Sequence, residues 1–349
     1  MIQPLRSFGD KSLKGKICLS PFNTVHINVA GDVHICPCPG WQPQQVGNIF
    51  RQTLDEILSS RAAVAIRSSI IDGSYQYCDE KQCALIINGQ LNDHSNTPPE
   101  VAKQLDDPTR YQIPTTIAFN IDSVCNLSCP SCRTRVIKNT EEQIAKQQQI
   151  VDTVVANLVP KQSDCDLEFI TSGAGEVFAS NMIMSVLQQL SLDKLPKLRL
   201  NLHTNGLLAP SKWHQIQHIE SAVSLVTVSI DAATSDTYQQ VRRGGHWPDL
   251  VTAMKFLQNK KQKLGFELRA RMIVQQRNYT EAEEFYYLCQ EFDVDRVEYS
   301  RLTNWNTWGM QEFVQNDVFS SAHPERSQAL QVMETIKTLP NTWFEGNFS

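Results

Sequence analysis

From residue 115 onward, short apolar runs alternate with amphipathic stretches, and this alternation constrains the fold more than any other feature. Candidate strands are residues 116–121, 166–171, 198–204, 225–230, 268–274 and 296–300. Between them lie helical patterns. Residues 141–158 place Ile144, Val151, Val154, Val155 and Leu158 on one face. Residues 280–292 do the same with Phe285, Leu288, Cys289 and Phe292. Consecutive parallel strands need crossover connections, so six β–α repeats predict an α/β fold with helices outside a parallel sheet. Six strands are too few for a closed eight-stranded barrel. An open partial (β/α)6 barrel or a doubly wound sheet fits.

The first part of the chain reads differently. Residues 24–29 and 32–35 flank Ala30-Gly31 as a hairpin. Residues 54–67 predict a helix with Leu54, Ile57, Leu58, Val64 and Ile66 roughly on one side. Residues 92–114 are rich in Asn, Asp, Pro, Thr and Gln and read as a linker. The expected organisation is a small cysteine-rich α+β domain over residues 13–95, a linker over 96–114, the α/β barrel over 115–310 and a helical extension over 311–349. The extension carries Leu330, Met333 and Ile336 on one face of a helix near 324–339. No internal repeat stands out.

Composition narrows the function classes. The chain has 349 residues, 41% apolar and 20% charged, enough for a sizeable core and against disorder. Lys plus Arg number 32 against 37 Asp plus Glu, a formal charge of −5, which argues against nucleic-acid binding. No apolar run is long enough for a membrane span. Residues 1–12 carry no apolar secretory core, so the expected location is cytoplasmic.

Ten cysteines, at 18, 36, 38, 78, 83, 125, 129, 132, 165 and 289, are the loudest compositional fact. Without a secretory signal, clustered cysteines point to metal rather than to disulfides. Cys125, Cys129 and Cys132 form C-x3-C-x2-C directly after the first predicted strand. Structural zinc takes four closed ligands. Three thiolates in one loop suit an iron–sulfur cubane with one iron left for another ligand. A zinc site completed from elsewhere, or spare thiols, is the rival.

This loop, in this place, resembles the hallmark of the radical S-adenosylmethionine (SAM) superfamily. The resemblance implies that Cys125, Cys129 and Cys132 hold a [4Fe–4S] cluster whose open iron is chelated by the amino and carboxylate groups of SAM. Ser131 departs from the aromatic residue usual before the third cysteine. Further elements follow the strand ends. Gly173-Ala174-Gly175-Glu176 is similar to the family's Gly-Gly-Glu turn for the SAM amino group. His203-Thr204-Asn205-Gly206 is similar to a Thr-Asn-Gly rim element, and a plain Asn-Gly turn is its rival. Ser229-Ile230-Asp231 resembles a Ser-x-Asp element reaching the ribose or carboxylate. Arg242 is a candidate for the SAM carboxylate, and Gln275 and Asn278 lie where the family often serves the adenosine. All gather at the C-terminal ends of strands, where parallel α/β sheets bind ligands.

The N-terminal cysteines resemble the first half of a SPASM or twitch domain, an auxiliary iron–sulfur module. Cys18, Gly31 and Cys36 have the spacing C-x12-G-x4-C, and Cys78 and Cys83 follow. The resemblance implies that Cys18, Cys36, Cys78 and Cys83 hold one auxiliary [4Fe–4S] cluster, with Cys38 a rival for Cys36 and a zinc ribbon a rival for the whole set. The module usually follows the barrel; here it precedes it. Cys165 and Cys289 read as buried small hydrophobes. Trp305 and Trp308 fit a substrate pocket or plain packing, and His203 and His246 read as structural.

The implied activity is reductive cleavage of SAM to a 5′-deoxyadenosyl radical that takes a hydrogen atom from substrate. The auxiliary cluster would assist an oxidation, cross-linking or epimerisation. A small metabolite or a peptide is the expected substrate, and an electron donor such as flavodoxin or ferredoxin the expected partner. The rival of another class is a non-catalytic iron–sulfur or zinc scaffold or electron carrier. No G-x-G-x-x-G follows the first strand, which discounts a nucleotide-binding oxidoreductase.

Overall fold

The computed structural model describes residues 4, 13–111, 114–158, 166–171, 174–346 and 348. It divides into two compact units. The first comprises Met1–Asp122, Thr140–Ala174 and Ser185–Arg199, and the second Ser123–Asn139, Gly175–Met184 and Leu200–Ser349.

The first unit holds strands β1 (Thr24–Ile27), β2 (Asp32–His34), β3 (Gly47–Asn48), β4 (Thr116–Phe119) and β5 (Leu167–Thr171). β1 and β2 form the expected antiparallel hairpin, and β3 continues it. The turn is built by Asn28, whose Oδ1 accepts from the amides of Ala30 and Asp32, each at 2.9 Å. Gly31 sits at φ +80°, and a Cβ there would collide with the Phe50 ring. Gly31→Ala is therefore expected to cost about 2 kcal/mol or more in urea denaturation. A wild-type midpoint would contradict this packing.

β1 also pairs in parallel with β4, which pairs in parallel with β5. The cysteine-rich segment is thus joined to the first strand of the β–α series by main-chain hydrogen bonds. Two expectations need correction here. The helix expected over 54–67 is two helices, α1 (Leu54–Leu58) and α2 (Arg61–Ile71). Thr53 and Glu56 make a capping box for α1, and Ser60 caps α2 by accepting from Ala63 N at 3.2 Å. The expected linker contains helix α3 (Pro99–Leu105). Its Val101 and Leu105, one turn apart, pack into a core cluster with Ile17, Phe22, Ile70, Tyr75 and Leu91. Buried Arg67 fastens the same segment, donating to Pro108 O at 2.9 Å and Leu58 O at 2.8 Å. Helix α4 spans Glu141–Leu158 as read from the sequence.

Among its described residues the second unit holds five parallel strands: β6 (Leu198–Thr204, in this unit from Leu200), β7 (Val223–Ser229), β8 (Glu267–Val274), β9 (Arg296–Arg301) and β10 (Thr342–Glu345). They pair in that order. The expected helix of the extension spans Arg326–Lys337, and residues 342–345 add a parallel strand after it. One face of these strands is apolar and buried, with Val226, Val228, Leu268, Ala270, Met272, Val274, Val297 and Tyr299. Tyr299 meets helix α5 (Ala282–Glu291): its hydroxyl donates to Ala282 O at 2.7 Å and its ring lies 6.0 Å from that of Phe285. The opposite face carries mostly polar and charged side chains, with Leu225, Ile273 and Trp343 among them. Cys289 is fully buried on α5, as read. Cys165 lies outside the described residues. Among the described residues no helix is long and apolar enough to cross a membrane.

Candidate metal and cofactor sites

The C-x3-C-x2-C loop lies wholly within the second unit. Its base is closed by Cys125 N donating to Ile137 O at 3.3 Å, and its tip by the amides of Cys132 and Arg133, both 2.9 Å from Cys129 O. Cys129 is buried, Cys125 half-buried and Cys132 exposed. Each sulfur faces N–H donors. Cys125 Sγ lies 3.4 Å from Leu127 N and 3.9 Å from Asn205 Nδ2. Cys129 Sγ lies 3.8 Å from Arg242 Nη1, and Cys132 Sγ lies 3.4 and 3.3 Å from Arg133 Nε and Nη2. Burial pushes the Cys125 thiol pKa up, against the Leu127 amide and Arg133; burial does the same at Cys129, against Arg242. Such donors stabilise thiolate sulfur once a metal has taken the proton's place.

Arg243 clasps the loop. It donates to Ser128 Oγ at 3.1 Å and to Thr134 O at 3.0 Å, and Ser128 N returns a bond to Arg243 O at 3.0 Å. Arg133 and Arg243 were not singled out from the sequence. The signal for Arg133 was its place directly after the third cysteine.

Two buried carboxylates stand beside this loop. Glu176 accepts from Thr204 Oγ1 at 2.6 Å, Asn205 N at 2.6 Å and Phe178 N at 3.2 Å. Its amide donates to Val124 O at 2.8 Å, tying the turn to the cysteine loop. Burial raises the Glu176 pKa, and these three hydrogen bonds oppose it. A carboxylate has about four acceptor positions, so room remains for one more donor. Asp231, at φ +64°, receives Ile273 N at 2.8 Å and forms an ion pair with Arg242 Nη2 at 2.8 Å. Burial raises the Asp231 pKa against Arg242. Burial alone would lower the Arg242 pKa, yet Asp231 and Cys129 raise it overall.

Of the remaining expected site residues, Gly173 lies outside the described residues, and Ala174 and Gly175 are half-buried. Ser229 is half-buried at the end of β7. Asn278 is fully buried and joins backbone segments, donating to Asp231 O at 2.8 Å and Ile273 O at 2.9 Å and accepting from Gln275 N at 2.8 Å. Trp305 is 67% exposed, Trp308 half-buried and His246 exposed. Among the described residues, the donors Arg242 Nε and Gln275 Nε2 are buried without a partner. Buried unpaired donors are costly, so this region fits a polar ligand that accepts hydrogen bonds.

In the first unit, Cys18, Cys36, Cys78 and Cys83 line one cavity with Tyr75, Trp41 and Leu91. Cys38 does not line it. Burial raises all four thiol pKa values, and the neighbouring sulfurs push those of Cys36 and Cys78 further up. Among the described residues, no group of three or more His, Cys, Asp or Glu side chains closes on one point as a mononuclear metal site does. Cys18 and Cys78 pack against the cluster around Ile17 and Tyr75, and the Tyr75 hydroxyl donates to Lys16 O at 3.0 Å. A four-thiol lining of mostly apolar walls fits an iron–sulfur cluster.

Comparison with known proteins agrees in kind. Residues 18–84 match the family model "SPASM: Iron-sulfur cluster-binding domain". A GTP 3′,8-cyclase of Alkaliphilus oremlandii is 25% identical over 234 residues, covering 65% of this chain and 68% of that protein. Among solved structures, Streptococcus suis SuiB bound to precursor peptide SuiA matches with TM-score 0.43 at 15% identity, covering 82% of this chain and 62% of that one. The structure of anSMEcpe with bound AdoMet matches with TM-score 0.43 at 16% identity, over 65% of this chain and 63% of that one. The chain thus spans less than two thirds of either solved chain. Radical SAM enzymes bind a [4Fe–4S] cluster and SAM, and SPASM domains bind additional iron–sulfur clusters. The chain is thus similar in sequence to a radical SAM enzyme, and its residues 18–84, ahead of the cysteine loop, match a SPASM iron–sulfur cluster-binding domain.

Proposed function

We propose that the chain cleaves SAM reductively and uses the resulting radical to take a hydrogen atom from a small-molecule substrate. The observation that carries this reading is the convergence of Cys125, Cys129 and Cys132 with Glu176 and the Asp231–Arg242 pair within one unit. When bound, the cluster supplies the electron that splits SAM into methionine and a 5′-deoxyadenosyl radical. The chain's own part is to bind and orient. Cys125, Cys129 and Cys132 are the proposed ligands of that cluster. Glu176, held by Thr204 and Asn205, offers a free acceptor position to an ammonium group. Arg242, with Nε unpaired, offers a donor to a carboxylate. Gly173, Ala174 and Gly175 are the small residues that precede Glu176 in sequence, and Ser229, Gln275 and Asn278 supply polar groups at strand ends. The relative acting on GTP favours a small molecule over a peptide.

Anaerobic reconstitution with iron and sulfide tests the reading. Reduced protein is expected to show a [4Fe–4S] electron paramagnetic resonance (EPR) signal that SAM perturbs. A SAM-insensitive spectrum, or zinc in place of iron, would sink it.

Cys18, Cys36, Cys78 and Cys83 are the proposed ligands of the auxiliary cluster, because they alone among the first five cysteines line its cavity. Cys36→Ser is expected to drop bound iron from about eight to about four per chain, while Cys38→Ser keeps it. The reverse outcome in iron analysis would assign Cys38 instead.

A further inference from the structure

The second unit has a feature that its fold does not require. Parallel strands are ordinarily apolar on both faces because helices cover both. Here one face is, and on the other Leu225, Ile273 and Trp343 are outnumbered by polar groups. The pairing register puts Asn201 and His203 of β6, Thr227 and Ser229 of β7, Arg269 and Arg271 of β8, Glu298 and Ser300 of β9, and Glu345 of β10 on the other.

The charges there are organised. Glu298, 4% exposed, bridges two guanidiniums: Oε1 lies 3.3 Å from Arg269 Nη1, and Oε2 lies 2.9 and 2.7 Å from Arg271 Nε and Nη2. Arg269 is used up, since Nε and Nη2 both donate to Glu267 at 2.8 Å. Arg271 is not: among the described residues its Nη1 makes no hydrogen bond, and its side chain is 26% exposed. Glu345 stands 3.6 Å from Nη2. His203 lies on the same face, across Thr227 from Arg269 in the register; its ring makes no hydrogen bond among the described residues, and its pKa is pushed down to about 3 by burial and then by the charges of Arg271 and Arg269. A neutral imidazole offers one N–H, and the free guanidinium edge on the same face offers another; neither has an acceptor among the described residues.

Resting on the radical SAM reading above, we infer that the free edge of Arg271 together with His203 grips an oxyanion group of the substrate, a phosphate or a carboxylate. Glu298 fixes the guanidinium plane, so the fork is presented without searching rotamers. Ser229, across from Arg271 in the register, lies at the same end of the face.

The test uses pyrophosphate and succinate as probes, with isothermal titration calorimetry on the reconstituted holoenzyme. At least one probe is expected to bind in the millimolar range or tighter, and more weakly as salt rises. Arg271→Gln/Glu298→Gln, which leaves no buried charge unpaired, is expected to lose about tenfold or more, and His203→Ala a smaller share. Arg271→Lys keeps the charge without the fork and is expected to fall between; it serves if the double variant does not fold. Pyrophosphate alone binding assigns a phosphate, succinate alone a carboxylate. Binding of neither probe, or equal binding by wild type and variants, overturns the inference. The readout does not depend on SAM, so failure of the radical SAM reading appears separately, as a SAM-insensitive EPR spectrum.

Discussion

The Cys125→Ala/Cys129→Ala/Cys132→Ala variant is expected to fold, to keep the auxiliary cluster and to lose every response to SAM. The three thiols sit in a loop whose shape is held by other bonds: Cys125 N to Ile137 O, the two amides on Cys129 O, and the Arg243 clasp on Ser128 and Thr134. Removing sulfur leaves that frame in place. Bound iron should therefore fall from about eight to about four per chain, with the thermal midpoint nearly unchanged. The SAM-induced EPR shift should vanish entirely. Loss of all iron would mean that the two cysteine sets are not independent, and full retention would remove Cys125, Cys129 and Cys132 as ligands.

The second large effect concerns stability. Arg242→Met is expected to cost about 3–5 kcal/mol, because Asp231 is left as a buried carboxylate without its counter-charge. Asp231→Asn in the same background should recover much of this, since a neutral amide needs no cation. The pH dependence has a definite sign. Without Arg242, burial holds the Asp231 pKa above its unfolded value, so the folded state favours the proton. The deficit relative to wild type is then full above the raised folded pKa and shrinks as pH falls toward the ordinary carboxylate range. Thermal midpoints of both proteins across that range check it; a pH-independent difference would put the cost elsewhere, for instance in lost packing against Tyr238.

Much of this architecture was legible beforehand because periodicity and burial agree. β6 and α4 have the bounds read from the chain, and each of the six expected strands is present within a few residues. The hairpin around Gly31 was legible because only a left-handed residue makes that turn. Other features were masked by stronger signals. The α1–α2 break was written in Ser60, but the apolar spacing across it mimics one helix. α3 hides in a Pro- and Asp-rich stretch whose apolar core contacts come from Val101 and Leu105, too few to show a period. β10 is short, and its Trp343 and Phe344 carry no alternation to mark a strand. In β8 the alternation of Glu267, Arg269 and Arg271 with Leu268, Ala270 and Met272 was visible, but only the register showed that charges on three strands meet.

For the candidate sites, spacing named the cysteines but not their surroundings. The Cys18, Cys36, Cys78 and Cys83 side chains come to one cavity from segments sixty residues apart, and the lining excludes Cys38, which spacing left open. The donors to the loop sulfurs come from Arg133, Asn205 and Arg242. Arg242 and Asn205 were candidates for SAM itself; the structure also sets them against sulfur. Such dual placement follows from tertiary packing and leaves no local trace in the sequence.

The most direct test of the central claim is an anaerobic assay. The reconstituted protein is mixed with SAM and dithionite, and 5′-deoxyadenosine and methionine are quantified over time. The account predicts both products in equal amounts. A protein loaded with both clusters that yields neither, even with substrate candidates bearing a phosphate or carboxylate present, would contradict it.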